Sequence, residues 1–113
     1  EILIGGLGDD TLTGGGEGDI FVFSLGVDDG ADTITDFDGA EDALWFTDVV
    51  DGAGDDLQDV DDMIASIVDN GGGDVQVNFT SGGSIDFEGI AFVGQTSIAD
   101  LVDSGQQITV DHA

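Results

Sequence analysis

The stretch Gly5–Thr13, GGLGDDTLT, is followed at once by Gly14–Val22, GGGEGDIFV. Laid over one another, both begin Gly-Gly, carry Asp at position six (Asp10, Asp19) and an apolar residue at position eight (Leu12, Phe21). One step back puts Glu1 in the Asp position and Leu3 in the apolar one. Downstream the Asp-x-apolar element returns as Asp32/Ile34 and Asp42/Leu44, with longer segments between. In each unit the glycines permit tight turns with positive φ. The residues around the apolar position make a short strand whose middle side chain points inward. Leu3, Leu12, Phe21, Ile34 and Leu44 are then expected to stack into a thin core, each unit depending on its neighbours for burial.

The chain has 113 residues, which suits one domain with a modest core. Its formal net charge is -26, with no Lys or Arg and a single His. Ordinary salt bridges are therefore unavailable, and the fold must survive self-repulsion or take cations from outside. No basic patch exists to meet nucleic-acid phosphate or an anionic membrane. The absence of cysteine removes disulfides and thiolate metal sites. No apolar run is long enough for a transmembrane segment, and no signal peptide is recognisable. Since the first residues fall inside a repeat, the chain reads as the C-terminal piece of a longer protein.

Beyond Leu44 the pattern changes. Val60, Met63, Ile64, Ile67 and Val68 have helical spacing, with Asp59 as a plausible N-cap and Asn70-Gly71 as a stop. Alternation at Val75, Val77 and Phe79, a turn at Ser81-Gly82-Gly83, and resumption at Ile85 and Phe87 predict a β-hairpin. TSIADLVD predicts a short helix capped by Thr96 or Ser97, and QQITV a last strand. The expectation is a mainly β chain: repeats over residues 1–46, then a mixed capping region over 47–113 with a hairpin and one or two short helices.

The tandem nonapeptide G-G-x-G-x-D-x-U-x is the calcium-binding repeat of RTX proteins. The run Gly5 to Leu44, with FVF, DTITDF and the closing DVQVNFTSGGSIDFEGI, resembles the C-terminal end of that family, as in serralysin-type proteases, lipases and adhesins exported by type I secretion. The resemblance implies a short parallel β-roll (an RTX solenoid), two repeats per turn, with one to several calcium ions between loops stacked on the same side. It implies ligation by position-six aspartates and loop carbonyls. Carried over, Asp10 would share an ion with Asp32, and Asp19 with Asp42, while Gly5, Gly6, Gly8, Gly14, Gly15 and Gly30 would offer carbonyls. Asp36 is a further candidate metal ligand. It also implies a non-catalytic, calcium-dependent folding and secretion module, a secreted or cell-surface location, and contact with the type I secretion machinery. Departures are Glu17 at position four of the second repeat, Glu1 at the edge, and the ending TVDHA, where the family usually finishes on apolar residues.

The donor chemistry agrees. Calcium takes six to eight oxygens in a tolerant geometry, whereas magnesium demands a strict octahedron. One His without Cys cannot build a usual zinc site. Asp48, Asp51, Asp55, Asp56, Asp61, Asp62, Asp69, Asp100, Asp103 and Asp111 read as surface charge or caps, with Asp55-Asp56 a weak extra site. Trp45 and Phe46 read as packing between repeats and cap, with a sugar-stacking platform at Trp45 as the alternative. His112 is expected to fray. No GxSxG or HExxH motif is present, so enzymatic activity is not expected of this chain. A second functional reading is the end of an adhesin or surface-layer protein that contacts a glycan or protein. A third is an acidic domain stabilised by bulk salt.

Overall fold

The computed structural model describes residues 2–6, 8–16, 18–25, 30–50 and 56–112. The fold is mainly β, with two sheets and one α-helix. In chain order the elements are β1 (Ile2–Ile4), β2 (Thr11–Leu12), β3 (Ile20–Ser24), β4 (Ala31–Ile34), β5 (Ala43–Val49), α1 (Asp56–Asp62), β6 (Ile64–Asp69), β7 (Asp74–Phe79), β8 (Ser84–Ala91) and β9 (Ile108–His112). Short 3₁₀ turns at Ile98–Leu101 and Gly105–Gln107 lead into β9.

The first five strands alternate between the sheets. One sheet has the order β1-β3-β5-β9, all parallel; the other is β2-β4-β8-β7-β6, parallel from β2 to β8 and antiparallel beyond. The apolar position of each repeat sets the register. Leu3, Phe21, Leu44 and Ile108 form one cross-strand row, and Leu12, Ile34 and Phe87 another. Phe21, Ile34, Leu44 and Phe87 are fully buried, whereas Leu3 and Leu12, in the outermost strands, are only partly covered. Phe37 sits between Phe21 and Phe87, at ring-centroid distances of 5.9 and 5.2 Å. Phe46 likewise meets Phe79 at 6.2 Å across the sheets. One hydrophobic cluster thus includes residues from Phe21 to Ile108, and both sheets continue across the boundary at 46/47.

Several sequence expectations fail. The helix stops at Asp62, and Ile64–Asp69 is a strand, pairing antiparallel with β7. Helical spacing there competes with β-branched residues that gain cross-strand partners: Ile64 faces Phe79 and Ile67 faces Val77. Asn70-Gly71 accordingly begins a hairpin turn rather than ending a helix. Asp69 Oδ1 accepts the N–H groups of Gly71 and Gly73, and Asn70 Oδ1 accepts that of Gly72. Asp59 lies inside α1 and is not its N-cap. Trp45 is not in the core. Strand alternation buries Leu44 and Phe46 and turns Trp45 to the outer face, where its Nε1–H donates to Asp111 Oδ2 at 2.6 Å.

Candidate metal centre

The Asp-x-apolar spacing has a consequence beyond the core. Side chains two apart on a strand share a face. In β4 this turns Asp32 the same way as Ile34, while Asp10, Asp19 and Asp42 lie just ahead of β2, β3 and β5. Asp19, Asp32 and Asp42 are 4, 2 and 1% exposed, and Asp59 is the one other charged residue buried among those described. Burying carboxylates is costly without cations or hydrogen bonds, and this chain supplies no Lys or Arg.

The loops lie along two edges. On the first edge Asp10 meets Asp32: the Asp10 N–H donates to Asp32 Oδ1 at 3.0 Å, and the Thr33 N–H donates to the Asp10 carbonyl at 2.8 Å. Asp9, which sequence reading passed over, accepts the Ala31 N–H at 2.8 Å. Gly30 has φ 91°, and a Cβ there would lie 2.5 Å from the Gly8 carbonyl oxygen. Only glycine permits that approach. A Cβ on Gly5 would lie 3.1 Å from Asp10 Oδ2. That oxygen is buried and has no hydrogen-bond partner among the described residues. Gly5, Gly8, Asp10, Gly30 and Asp32 are therefore gathered here. Gly6, exposed with φ 75°, belongs to the same loop, and a Cβ there would face open space.

On the opposite edge Asp19 meets Asp42. The Asp19 N–H donates to Asp42 Oδ1 at 2.9 Å, and the Asp38 N–H to Asp42 Oδ2 at 2.8 Å. Gly14 packs so closely on the Asp19 carboxylate that a Cβ would collide with it. Asp36 takes a different part: its two oxygens accept the N–H groups of Gly14 at 3.0 Å and Gly15 at 2.7 Å. It clamps the glycine turn of the second repeat. Glu1 and Glu17 fall outside the described residues.

Chemically, both edges offer carboxylates with glycine-rich backbone beside them, and no nitrogen or sulfur side chain. Several carboxylate oxygens already accept a backbone N–H, and an anionic oxygen retains further acceptor capacity. That donor set matches a hard, oxygen-seeking divalent cation. Asp10 Oδ2, buried and without a hydrogen-bond partner among the described residues, is an atom that such a cation would satisfy.

His112 is not frayed. It ends β9 opposite Val49, and its Nε2 lies 2.9 Å from Asp59 Oδ2 and 3.7 Å from Asp56 Oδ1. Nothing local in the sequence signals this contact, because Asp59 and His112 are 53 residues apart. Among the described residues, no helix is long and apolar enough to cross a membrane. Comparison of the chain with protein-family models, with curated proteins and with solved structures returned no match.

Proposed function

We propose that this chain is a non-catalytic, calcium-dependent folding, stability and type I secretion module at the C-terminus of a larger exported protein, as its likeness to RTX repeats implies. On this reading the alternating strands β1 to β5 are turns of a short parallel β-roll, and residues 47–113 are its cap. The observation that carries it is the burial of Asp19, Asp32 and Asp42 in stacked glycine loops of a chain without Lys or Arg. Asp10 Oδ2, without a hydrogen-bond partner among the described residues, adds to it.

Asp10 with Asp32, and Asp19 with Asp42, would hold calcium, helped by the adjoining loop carbonyls. When bound, calcium supplies the positive charge that the chain lacks. The chain's own residues hold the loops in place: Asp9, Asp36 and Asp42 take up loop N–H groups, and Gly30 lets two loops touch. Without cations the carboxylates repel and the glycine loops are costly to order. Scarce cytosolic calcium would keep the chain export-competent, and extracellular calcium would fold it, binding free energy becoming folding free energy.

The test is a calcium titration followed by circular dichroism, with magnesium and sodium chloride as controls. A β-rich spectrum is expected in millimolar calcium and largely lost in chelator. An unchanged folded spectrum in excess chelator overturns the reading. Folding by molar sodium chloride alone would favour the bulk-salt alternative.

One observation favours a second role, contact with a glycan in an adhesin-like parent. Trp45 lies on the outer sheet face, between Val22 and Thr109 in register, with Asp111 beside it. A polysaccharide affinity screen with Trp45→Ala as control decides it. Absence of binding, or binding that survives the substitution, removes this role.

A further inference from the structure

The region where β9 meets α1 differs from both loop edges by containing nitrogen. His112 is the only residue of the chain whose side chain can become cationic. Its Nε2, Asp56 Oδ1 and Asp59 Oδ2 lie within 4.8 Å of one another. Asp59 is 1% exposed, whereas Asp56 is open to solvent and the imidazole is about a quarter exposed. The three groups come from distant parts of the sequence and are held by independent elements. Asp56 and Asp59 lie one helical turn apart on α1, and His112 is fixed by the pairing of β9 with β5. Beside them, Asp61 Oδ1 accepts the Ile98 N–H at 2.8 Å, which ties α1 to the turn before β9.

One His and no Cys are too few for a usual zinc site, but the fold sets two carboxylates beside that imidazole, and we propose that His112, Asp56 and Asp59 form a second kind of metal site, selective for a borderline divalent ion such as zinc over calcium and magnesium. Tetrahedral zinc, with bonds of about 2.0–2.2 Å to nitrogen and oxygen, separates its ligand atoms by about 3.3–3.5 Å. The two nitrogen–oxygen distances, 2.9 and 3.7 Å, bracket that separation. Imidazole suits zinc, copper and nickel, whereas calcium and magnesium take oxygen, so the nitrogen donor separates this site from the loops. The exposure of Asp56 gives an ion a way in and leaves room for water as a fourth ligand. A bound ion would join the Asp56 and Asp59 carboxylates of α1 to the His112 imidazole of β9. It would fasten the last strand to the helix.

Since the chain has a single imidazole, its ring ¹⁵N resonances report on this site alone, whatever the other carboxylates bind. The test is zinc chloride added to the whole chain in saturating calcium. Expected is a saturable shift of the His112 Nε2 resonance at one equivalent, absent with added magnesium. Asp59→Asn should abolish the shift. Asp56→Asn, at an exposed position, should leave the circular dichroism spectrum unchanged and weaken binding at least about tenfold, as loss of groups that support a metal commonly does. Imidazole resonances that zinc leaves unmoved, or that move equally in Asp56→Asn, overturn the proposal. The readout is independent of whether calcium drives folding, so the two proposals fail separately.

Discussion

The two halves of the molecule solve the same problem in opposite ways. In the first, residues 2–46, the backbone turns on glycine and is held by carboxylates 21 to 23 residues further along: Asp32 takes the Asp10 N–H, Asp36 those of Gly14 and Gly15, and Asp42 that of Asp19. In the second, residues 56–112, the turn caps are mostly local, the Asp61 carboxylate on the Ile98 N–H being the long-range exception among the described residues. Asp69 and Asn70 close their own turn, Asp100 takes the N–H groups of Thr96 and Ser97, and Ser104 accepts the Gln106 N–H. Local caps bring few charges together. Long-range carboxylates gather charge, and on the proposed reading the first half would depend on a cation from outside. The shared aromatic core, with Phe37 between Phe21 and Phe87, makes one half's failure felt in the other.

The largest expected effect is on that dependence. The two proposed calcium sites, each at about one hundred times its Kd, would together stabilise by about 5.4 kcal/mol, which corresponds to about 20 °C or more in Tm for a domain near this size. Hydrogen exchange in chelator should show protection lost first in β2 to β4 and last in β7 and β8. Uniform loss across both halves would break the contrast drawn above.

Phe37→Ala probes the joint between the halves. Removing a buried Phe costs about 3–5 kcal/mol, and urea denaturation in saturating calcium should show that loss as one cooperative transition. Two separated transitions would mean that the halves unfold independently.

Asp32→Asn sharpens the comparison by a change of sign. The Asn oxygen can still accept the Asp10 N–H, but the charge is gone. In calcium the variant should be less stable than the parent by about 1–3 kcal/mol. In chelator it should be equal or more stable, because repulsion falls. Lower stability under both conditions would make Asp32 a purely structural acceptor. Gly30→Ala should cost about 1–3 kcal/mol through positive φ and the nearby Gly8 carbonyl, with calcium affinity reduced in parallel.

The smallest effect lies in the second half. The Thr96 N–H, bonded at 3.0 Å, is the main group holding the Asp100 carboxyl below its usual range, with the Ser97 N–H assisting. A carboxyl lowered in the folded state stabilises above its unfolded value, and that contribution is lost as pH falls through the folded one. Asp100 is almost fully exposed, so solvent screening keeps the effect slight. Wild-type Tm minus that of Asp100→Asn should shrink slightly as pH falls from about 5 to 3. A difference constant over that range removes the cap from the account of this half.

Much of the first half was legible from spacing alone. A two-residue step between Asp and the apolar position is a local geometric rule, so Leu44 and Phe46 turn inward and Trp45 outward whatever surrounds them. The expectation of a core Trp45 ignored that rule in favour of size. The rows through Phe21 and Leu44, and through Ile34 and Phe87, follow from the same parity once the strands are paired. The absence of Lys and Arg fixed from the outset that buried carboxylates would find no cationic side chain of either kind.

Tertiary structure decided the rest. Ile64, Ile67 and Val68 satisfy helical spacing, yet β7 offers them partners that a helix would not. The placement of β8 beside β4 and of β9 beside β5 closes both sheets with segments far along the chain, which periodicity does not encode. The contact of His112 with Asp59 is of the same kind. Each residue alone reads as a surface group, and only the register of β9 on β5 and the seat of α1 bring them to 2.9 Å. Local rules set which way a side chain points; the long-range packing of the strands set what it meets.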